Sequence, residues 1–391
     1  MNKFFYKCLW ALSMMVCATS VAVGQIEINL DAGSRGPKIG NTHYGIFFEE
    51  INHAGDGGLY AELIHNRSFE DNASFPDRWA TVGNATQTLV ANDLLNAVQT
   101  RALKLTLTGA GSGVRNEGFW GINAVSGRTY KFSFWAKSDA GYNGTLTVGL
   151  QTEGGNSLGA ESVNVNLNGE WTKITGEFTA TGSNAVAWFS LTGSKAGEIT
   201  IDVVSLFPPT YKDRENGCRI DLAEKLEAIH PSFVRFPGGC YVEGEWRNGK
   251  TNRFEWKNTI GPIEERPGHY CVNWNYNVSD GFGFHEMLQL TEDLNAEPLF
   301  VVNMGMGHGW MVPYDEIDEF IDEALDAIEY CNGDVTTEWG AKRAANGHPE
   351  PFGLRLIEIG NENYNFTSEG NNDQSDHYAE RYIQFYNAIK A

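Results

Sequence analysis

Apolar residues recur along this chain in two different rhythms. Between residues 69 and 207, short runs at 102–108, 130–136, 145–150, 171–178, 185–191 and 198–206 alternate apolar with polar positions and are separated by Gly, Asn and Ser clusters. Period two is the spacing of a half-buried strand, and many such strands with no helical pattern between them predict an antiparallel β-sandwich. After Pro208 and Pro209 the rhythm changes: helical spacing at 219–229, 284–294, 315–330 and 375–390 alternates with compact apolar runs at 233–236, 298–303 and 354–359. In the third helix, Ile317, Phe320, Ile321, Ala324, Leu325 and Ile328 share one face, while Asp315, Glu316, Asp318, Glu319, Asp322 and Glu323 take the others. Those acids read as a solvated face rather than a metal site. Alternating strands and helices predict βα units around a parallel sheet. Two more strand-like runs, 26–30 and 44–49, precede the sandwich segment.

The predicted fold class is therefore α/β plus all-β. Residues 25–66 hold an N-terminal strand and the first barrel strand, 67–208 an inserted β-sandwich, and 209–391 the rest of a partial barrel, giving about four βα units. Residues 1–24 combine Lys3 and Lys7, an apolar stretch from Leu9 to Val23 and small residues at Ala22 and Gly24, the build of a secretory signal peptide. That predicts export to the periplasm or the extracellular space. The apolar run is broken by Ser13, Cys17, Thr19 and Ser20 and is too short for a span. At the other end the chain stops at Ala391, directly after an aromatic-rich helical pattern, which reads as a chain cut short.

Charge narrows the range of partners. Lys plus Arg number 29 against 50 Asp plus Glu, a net charge of −21, which repels phosphate backbones and anionic lipid. Nucleic acid is excluded on that ground. The 44 Gly, 11 Trp, 15 Tyr and 22 Phe suit a protein that handles neutral polar ligands such as sugars. No glycine-rich stretch forms a nucleotide loop and no His/Cys group has metal-ligand spacing along the chain, so neither a cofactor nor a metal is expected. Beyond the leader, Cys218, Cys240, Cys271 and Cys331 are irregularly spaced; export permits one or two disulfides, and sequence cannot pair them.

In α/β barrels the reacting groups project from the carboxyl ends of the strands. The four strand ends read FFEEINH, RFPGGCYVEG, VVNMGMGHGW and EIGNENYN. The last places Asn361 beside Glu362. Glycoside cleavage needs a carboxylic acid to protonate the leaving oxygen and a donor that grips a neighbouring hydroxyl, and this pair supplies both. The alternative is a turn in which Asn is left-handed and Glu caps a helix.

Four stretches in order, GIFFEEINHAGDGGLYAELIHNRSFE, YKDRENGCRIDLAEKLEAIHPSFVRFPGGCYVEG, PLFVVNMGMG and IEIGNENYN, resemble the catalytic domain of the α-L-arabinofuranosidases of glycoside hydrolase family 51. The alternating segment is similar to the carbohydrate-binding modules inserted in some members. The resemblance implies a (β/α)8 TIM barrel, a retaining two-carboxylate mechanism and removal of terminal α-L-arabinofuranosyl groups from plant polysaccharides such as arabinan and arabinoxylan. By motif position it makes Glu362 the general acid/base, Asn361 a contact to sugar hydroxyls, Glu49 a carboxylate gripping arabinose hydroxyls and Arg235 an orienter of neighbouring carboxylates. Cys240 stands where many relatives have Asn, as a sugar contact or an inert thiol. Asn303, His308 and Trp310 follow the third strand, with Trp310 able to stack on a sugar face. Of the sandwich tryptophans, 79, 120, 135, 171 and 188, one or two are expected to bind sugar.

A retaining enzyme needs a second carboxylate as nucleophile, about 5 to 5.5 Å from the acid/base. In the family resembled here it lies on a late barrel strand, and no residue of this chain matches it. Two other functions fit the same residues: a related β-xylosidase or endoglucanase, or a non-catalytic glycan-binding remnant in which the sandwich does the binding. Oligomeric state is not legible.

Overall fold

Four short strands run parallel and side by side in the order in which the chain makes them: Ile46–Phe47, Phe233–Phe236, Glu297–Val302 and Leu356–Ile359. Register is set by Ile46 opposite Val234, Arg235 opposite Leu299, and Phe300 opposite Ile357. The computed structural model describes residues 28–29, 31, 33, 35–40, 42–363 and 377–391. Residues 1–40 form a unit of their own, in which the described residues make no helix or strand. The strand expected at 26–30 is absent at Ile28 and Asn29, where Ile28 stands 77% exposed; its other residues, like the leader, lie outside the described residues.

Helices follow the strands as the 3.6-residue rhythm requires. Ile220–Ile229 leads into the second strand, Phe284–Asp293 into the third and Asp318–Asn332 follows it. In the last of these, Phe320, Ile321, Ala324, Ala327, Tyr330 and Cys331 are buried, one continuous stripe. Its acidic side is only partly solvated: Glu323 receives two hydrogen bonds from Arg253, at 2.7 and 2.9 Å, and Asp326 is held by Lys257. Tyr378–Lys390 closes the described chain, with Phe385 and Arg381 buried; Ser375 and Asp376, where that helix was expected to begin, lie outside the described residues.

The segment between the first and second barrel strands folds into two antiparallel sheets. One has the order Thr172–Thr179, Thr129–Lys137, Gly197–Phe207, Ala102–Leu107, Thr86–Val90; the other runs Trp79–Val82, Ser112–Asn116, Asn184–Gly193, Tyr142–Gln151, Ser157–Leu167, with Ile122–Ala124 added to Asn184–Gly193. Alternate residues of both, such as Leu103 and Leu105, Phe132 and Phe134, and Phe189 and Leu191, meet in one core. Emptying one fully buried ring position, as in Phe134→Ala, typically costs about 3–5 kcal/mol. A second core gathers the barrel strands and helices around Phe236, Phe284, Phe300 and Tyr330. The fold is thus a partial TIM barrel carrying an inserted β-sandwich, and all four parallel strands direct their carboxyl ends to one side. No helix of the described residues is long and apolar enough to cross a membrane.

Candidate active site

Arg235 points across the strand ends because it alternates with Val234 and Phe236, which are buried. Its guanidinium lies 4.8 Å from the ring centre of Phe47, grips Glu358 through two hydrogen bonds of 2.6 Å, and donates a third to Asn361 Oδ1 at 2.7 Å. Those bonds to Glu358 hold the guanidinium above its ordinary pKa, with the negative charges of Glu358, Glu49 and Glu362 adding to the effect against partial burial. Glu49 and Glu362 therefore both face the same cation.

Asn361 is fixed from the other side as well. Its amide nitrogen donates to Glu243 Oε1 at 2.8 Å, and Glu243 Oε2 meets His308 Nε2 at 2.8 Å. With both ends of the amide committed, its orientation follows from its partners: the oxygen must face the guanidinium and the nitrogen the carboxylate. Glu243 is 1% exposed and comes from the single helical turn Cys240–Glu243, which grows directly out of the two glycines of RFPGGC.

Those glycines are required by crowding. Gly238 has φ +125°, and a Cβ on it would lie 2.4 Å from the Cβ of Glu49. A Cβ on Gly239 would come within 3.3 Å of Asn361 Nδ2 and 3.4 Å of Glu49 Oε2, so this residue is the bare floor between those two side chains. Glu49 is nearly buried, and its Oε1 accepts the Tyr241 backbone N–H at 2.9 Å. Burial pushes its carboxyl above the ordinary value, opposed by the N–H groups of Tyr241 and Gly239. Glu50, its neighbour, faces away from this cluster: Oε2 accepts the Gly55 N–H at 2.6 Å and Oε1 the Tyr276 hydroxyl at 2.9 Å. Burial, and then the charge of Asp56, push Glu50 up to about 8.

Glu362 is exposed and sits at φ +45°, a left-handed conformation that a glutamate adopts at a cost. Its preceding Gly360 is also left-handed, at φ +77°, so the chain turns sharply as it leaves the fourth strand. Cys240 is half-buried, and its thiol shares a hydrogen bond with His308, which raises that imidazole to about 10, helped next by Glu243.

Around the strand ends the structure thus gathers Glu49, Arg235, Cys240 and Asn361, with the charge of Glu362 reaching Arg235. Three features were not singled out from the sequence: Glu243, Glu358 and the meeting of Trp120, one of the sandwich tryptophans already named, with His53 and Tyr276. Glu243 and Glu358 stand inside the quoted strand-end motifs, three residues after Cys240 and four before Glu362, so spacing alone could have raised them. The third could not be read, since Trp120 belongs to the sandwich. It is 72% exposed and lies edge-on to His53, with ring centres 5.4 Å apart; His53 stacks on Tyr276 at 3.9 Å. Trp310 is not the sugar platform expected: it is buried, stacked on Phe320. Asn303 is a loop staple, donating to Val242 O at 2.8 Å and accepting from Gly305 N at 2.7 Å. Cys218, Cys240, Cys271 and Cys331 are all free thiols. A separate groove of about 520 Å³ opens on the second sheet of the sandwich, lined among others by Thr81, Arg115, Gln151 and Thr192.

Comparison with known proteins adds two family matches: residues 225–391 to the Alpha-L-arabinofuranosidase 1 domain and residues 61–197 to a Carbohydrate binding domain. Alpha-L-arabinofuranosidase 1 of Arabidopsis thaliana is 37% identical over 418 residues, covering 97% of this chain and 59% of the relative. The Extracellular exo-alpha-L-arabinofuranosidase of Streptomyces chartreusis is 39% identical over 405 residues, covering 98% of this chain and 47% of the relative. The solved structure of the arabinose-bound MgGH51 α-L-arabinofuranosidase superposes with a TM-score of 0.82 at 36% identity, covering 90% of this chain and 57% of that one. The chain spans about half the length of the curated relatives it matches.

Proposed function

Because the chain belongs to the α-L-arabinofuranosidases of glycoside hydrolase family 51, we propose that it acts as an exported hydrolase that removes terminal α-L-arabinofuranosyl groups from plant polysaccharides with retention of configuration. The observation that carries this reading is the clamped Asn361 beside Glu362. An amide held by Arg235 on one side and Glu243 on the other presents a fixed edge to a sugar hydroxyl, and the next residue is a solvent-facing carboxyl on a strained turn. Glu362 is the general acid/base: as acid it gives its proton to the glycosidic oxygen while the anomeric carbon passes from that oxygen to a second, nucleophilic carboxylate, and as carboxylate it then takes a proton from the water that displaces the nucleophile and releases arabinose. Asn361 and Glu49 flank bare Gly239 and hold the hydroxyls of the arabinose ring. Arg235 orients Glu358 and Asn361, and Cys240 contributes a thiol edge to the same pocket.

Glu49, Glu243 and Glu358 are each committed to protein donors, and we assign the nucleophile's role to none of them. The polysaccharide side of the reading is supported by Trp120, an exposed indole edge-on to His53, flat enough to stack on a sugar of a chain. Export is supported by the leader-like first 24 residues and by the extracellular relative.

The test is arabinose release from 4-nitrophenyl α-L-arabinofuranoside and from an arabinoxylan oligosaccharide, with Glu362→Ala alongside. A nitrophenolate leaves with little protonic help, so the substitution should depress oligosaccharide cleavage far more than nitrophenyl release. Equal losses of kcat/KM on both would remove Glu362 from the acid's role. No release from either substrate by the folded protein would overturn the hydrolase reading.

A further inference from the structure

We propose that Cys240, Glu243 and His308 form a zinc site with one open coordination position. Their ligand atoms, a sulfur, a carboxylate oxygen and an imidazole nitrogen, all lie within 4.8 Å of one another. Tetrahedral zinc at ordinary bond lengths holds such atoms about 3.3–3.8 Å apart. Small side-chain rotations therefore suffice to close the set. Thiolate, imidazole and carboxylate together favour zinc over magnesium or calcium, which prefer all-oxygen cages.

The backbone is already organised for this. Cys240 and Glu243 are three residues apart on one helical turn and so share a face. His308 belongs to the hairpin between Met306–Gly307 and Trp310–Met311, which is stitched to the residues that follow that turn: His308 N donates to Gly244 O at 3.0 Å, and Trp246 N donates to His308 O at 2.9 Å. The carboxylate has outer support as well, since Glu243 Oε1 is held by the amide of Asn361. Glu243 is 1% exposed and pairs with His308; a dication binding between them would displace the imidazole's proton and take over its place as the positive charge beside the buried carboxylate. Three protein ligands leave a tetrahedral zinc one position for water or a ligand. Bound metal would join the second-strand turn, the third-strand hairpin and, through Asn361, the end of the fourth strand. The inference is independent of the hydrolase reading, because its test reads binding.

The experiment is titration of the metal-free full chain with Zn²⁺ by calorimetry and with Co²⁺ by absorption, alongside Cys240→Ser and His308→Ala. One equivalent of zinc should bind and raise Tm. Cobalt should give a thiolate charge-transfer band that vanishes in Cys240→Ser, and His308→Ala should weaken zinc at least tenfold; His308→Gln replaces it should the alanine variant not fold. Cys218, Cys271 and Cys331 are buried, and with Cys8 and Cys17 changed to serine in every sample a band that survives Cys240→Ser would overturn the proposal. So would failure to bind one equivalent, or an affinity unchanged in both variants.

Discussion

Arg235 and Glu358 face each other across the parallel sheet, one on the second strand and one on the fourth, joined by two parallel hydrogen bonds of 2.6 Å. The pair reaches over the strand between them, whose Leu299 and Val301 are in register with Arg235 and Glu358, and sets the lateral position of Asn361, which takes a further bond from the guanidinium. A lysine has the charge but not the fork. Arg235→Lys should therefore leave Glu358 with one bond and Asn361 with none. The two side chains retain 19% and 37% of their exposure, so the stability loss should be about 1 kcal/mol or less, while misplacement of the reacting groups should lower kcat on the order of ten- to a hundredfold. Parallel measurement of Tm and kcat checks this; a Tm collapse with kcat per folded molecule intact would show the pair to be purely structural.

Glu50 predicts how stability depends on pH. Its folded pKa, about 8, is raised above its ordinary 4.5 by burial and then by Asp56, and burial likewise pushes Asp71 up to about 7. Between the unfolded and folded values the folded state binds more protons, so stability falls as pH rises. Burial lowers His65 to about 3 and His285 to about 4, from 6.5; these work in the opposite direction, but only below pH 6.5, where the unfolded chain takes up protons. Above that the carboxyls are joined by His308, raised from 6.5 to about 10, which adds to the same decline. From pH 6.5 to 8 stability should drop, with Glu50 contributing on the order of 1–2 kcal/mol. Glu50→Gln, which can still accept from Gly55 N–H, should flatten that decline in thermal melts; a slope unchanged by the substitution would count against it.

Much of this architecture could be read from the sequence, for a physical reason. Wherever burial was one-sided, as in Thr129–Lys137 or Asp318–Asn332, the apolar period wrote the element into the chain. Elements held by polar contacts left no such trace. Helix Glu338–Ala345 was not foreseen because it is anchored by Arg343, fully buried and donating to the carbonyls of Tyr330, Gly333, His348 and Pro349. Edge strand Ser157–Leu167 mixes polar and apolar residues because much of it faces solvent. The same holds at the site: the motifs carried Glu49, Arg235, Cys240, Asn361 and Glu362, but the meeting of Glu243 with His308, 65 residues on, depends on a hairpin that only the folded chain reveals.

Trp120 separates polymer recognition from reaction at the sugar. Being 72% exposed, it can be removed at little cost to stability. A stacked ring pair is worth about 0.5–1.5 kcal/mol, so Trp120→Ala should weaken arabinoxylan binding roughly two- to tenfold. It should leave KM for a nitrophenyl arabinofuranoside unchanged, since that substrate has no second sugar to stack on the ring. Isothermal titration with the polysaccharide, beside steady-state kinetics with the small substrate, tests both halves; equal effects on the two would place the ring at the arabinose itself.

Glu362 carries a conformational cost as well as a chemical role, and the two can be separated. At φ +45° a glutamate gives up about 1–2 kcal/mol relative to the right-handed region, which glycine does not pay, although glycine brings about 0.5–1 kcal/mol of extra unfolded-state entropy. Glu362→Gly should therefore hold or raise Tm by a degree or two while losing activity. Glu362→Gln, which keeps the shape and the strain, should lose activity with no change in Tm. If the glycine variant melted well below the parent, the turn would depend on contacts of the Glu362 side chain, and the strain would not be the cost of placing an acid there.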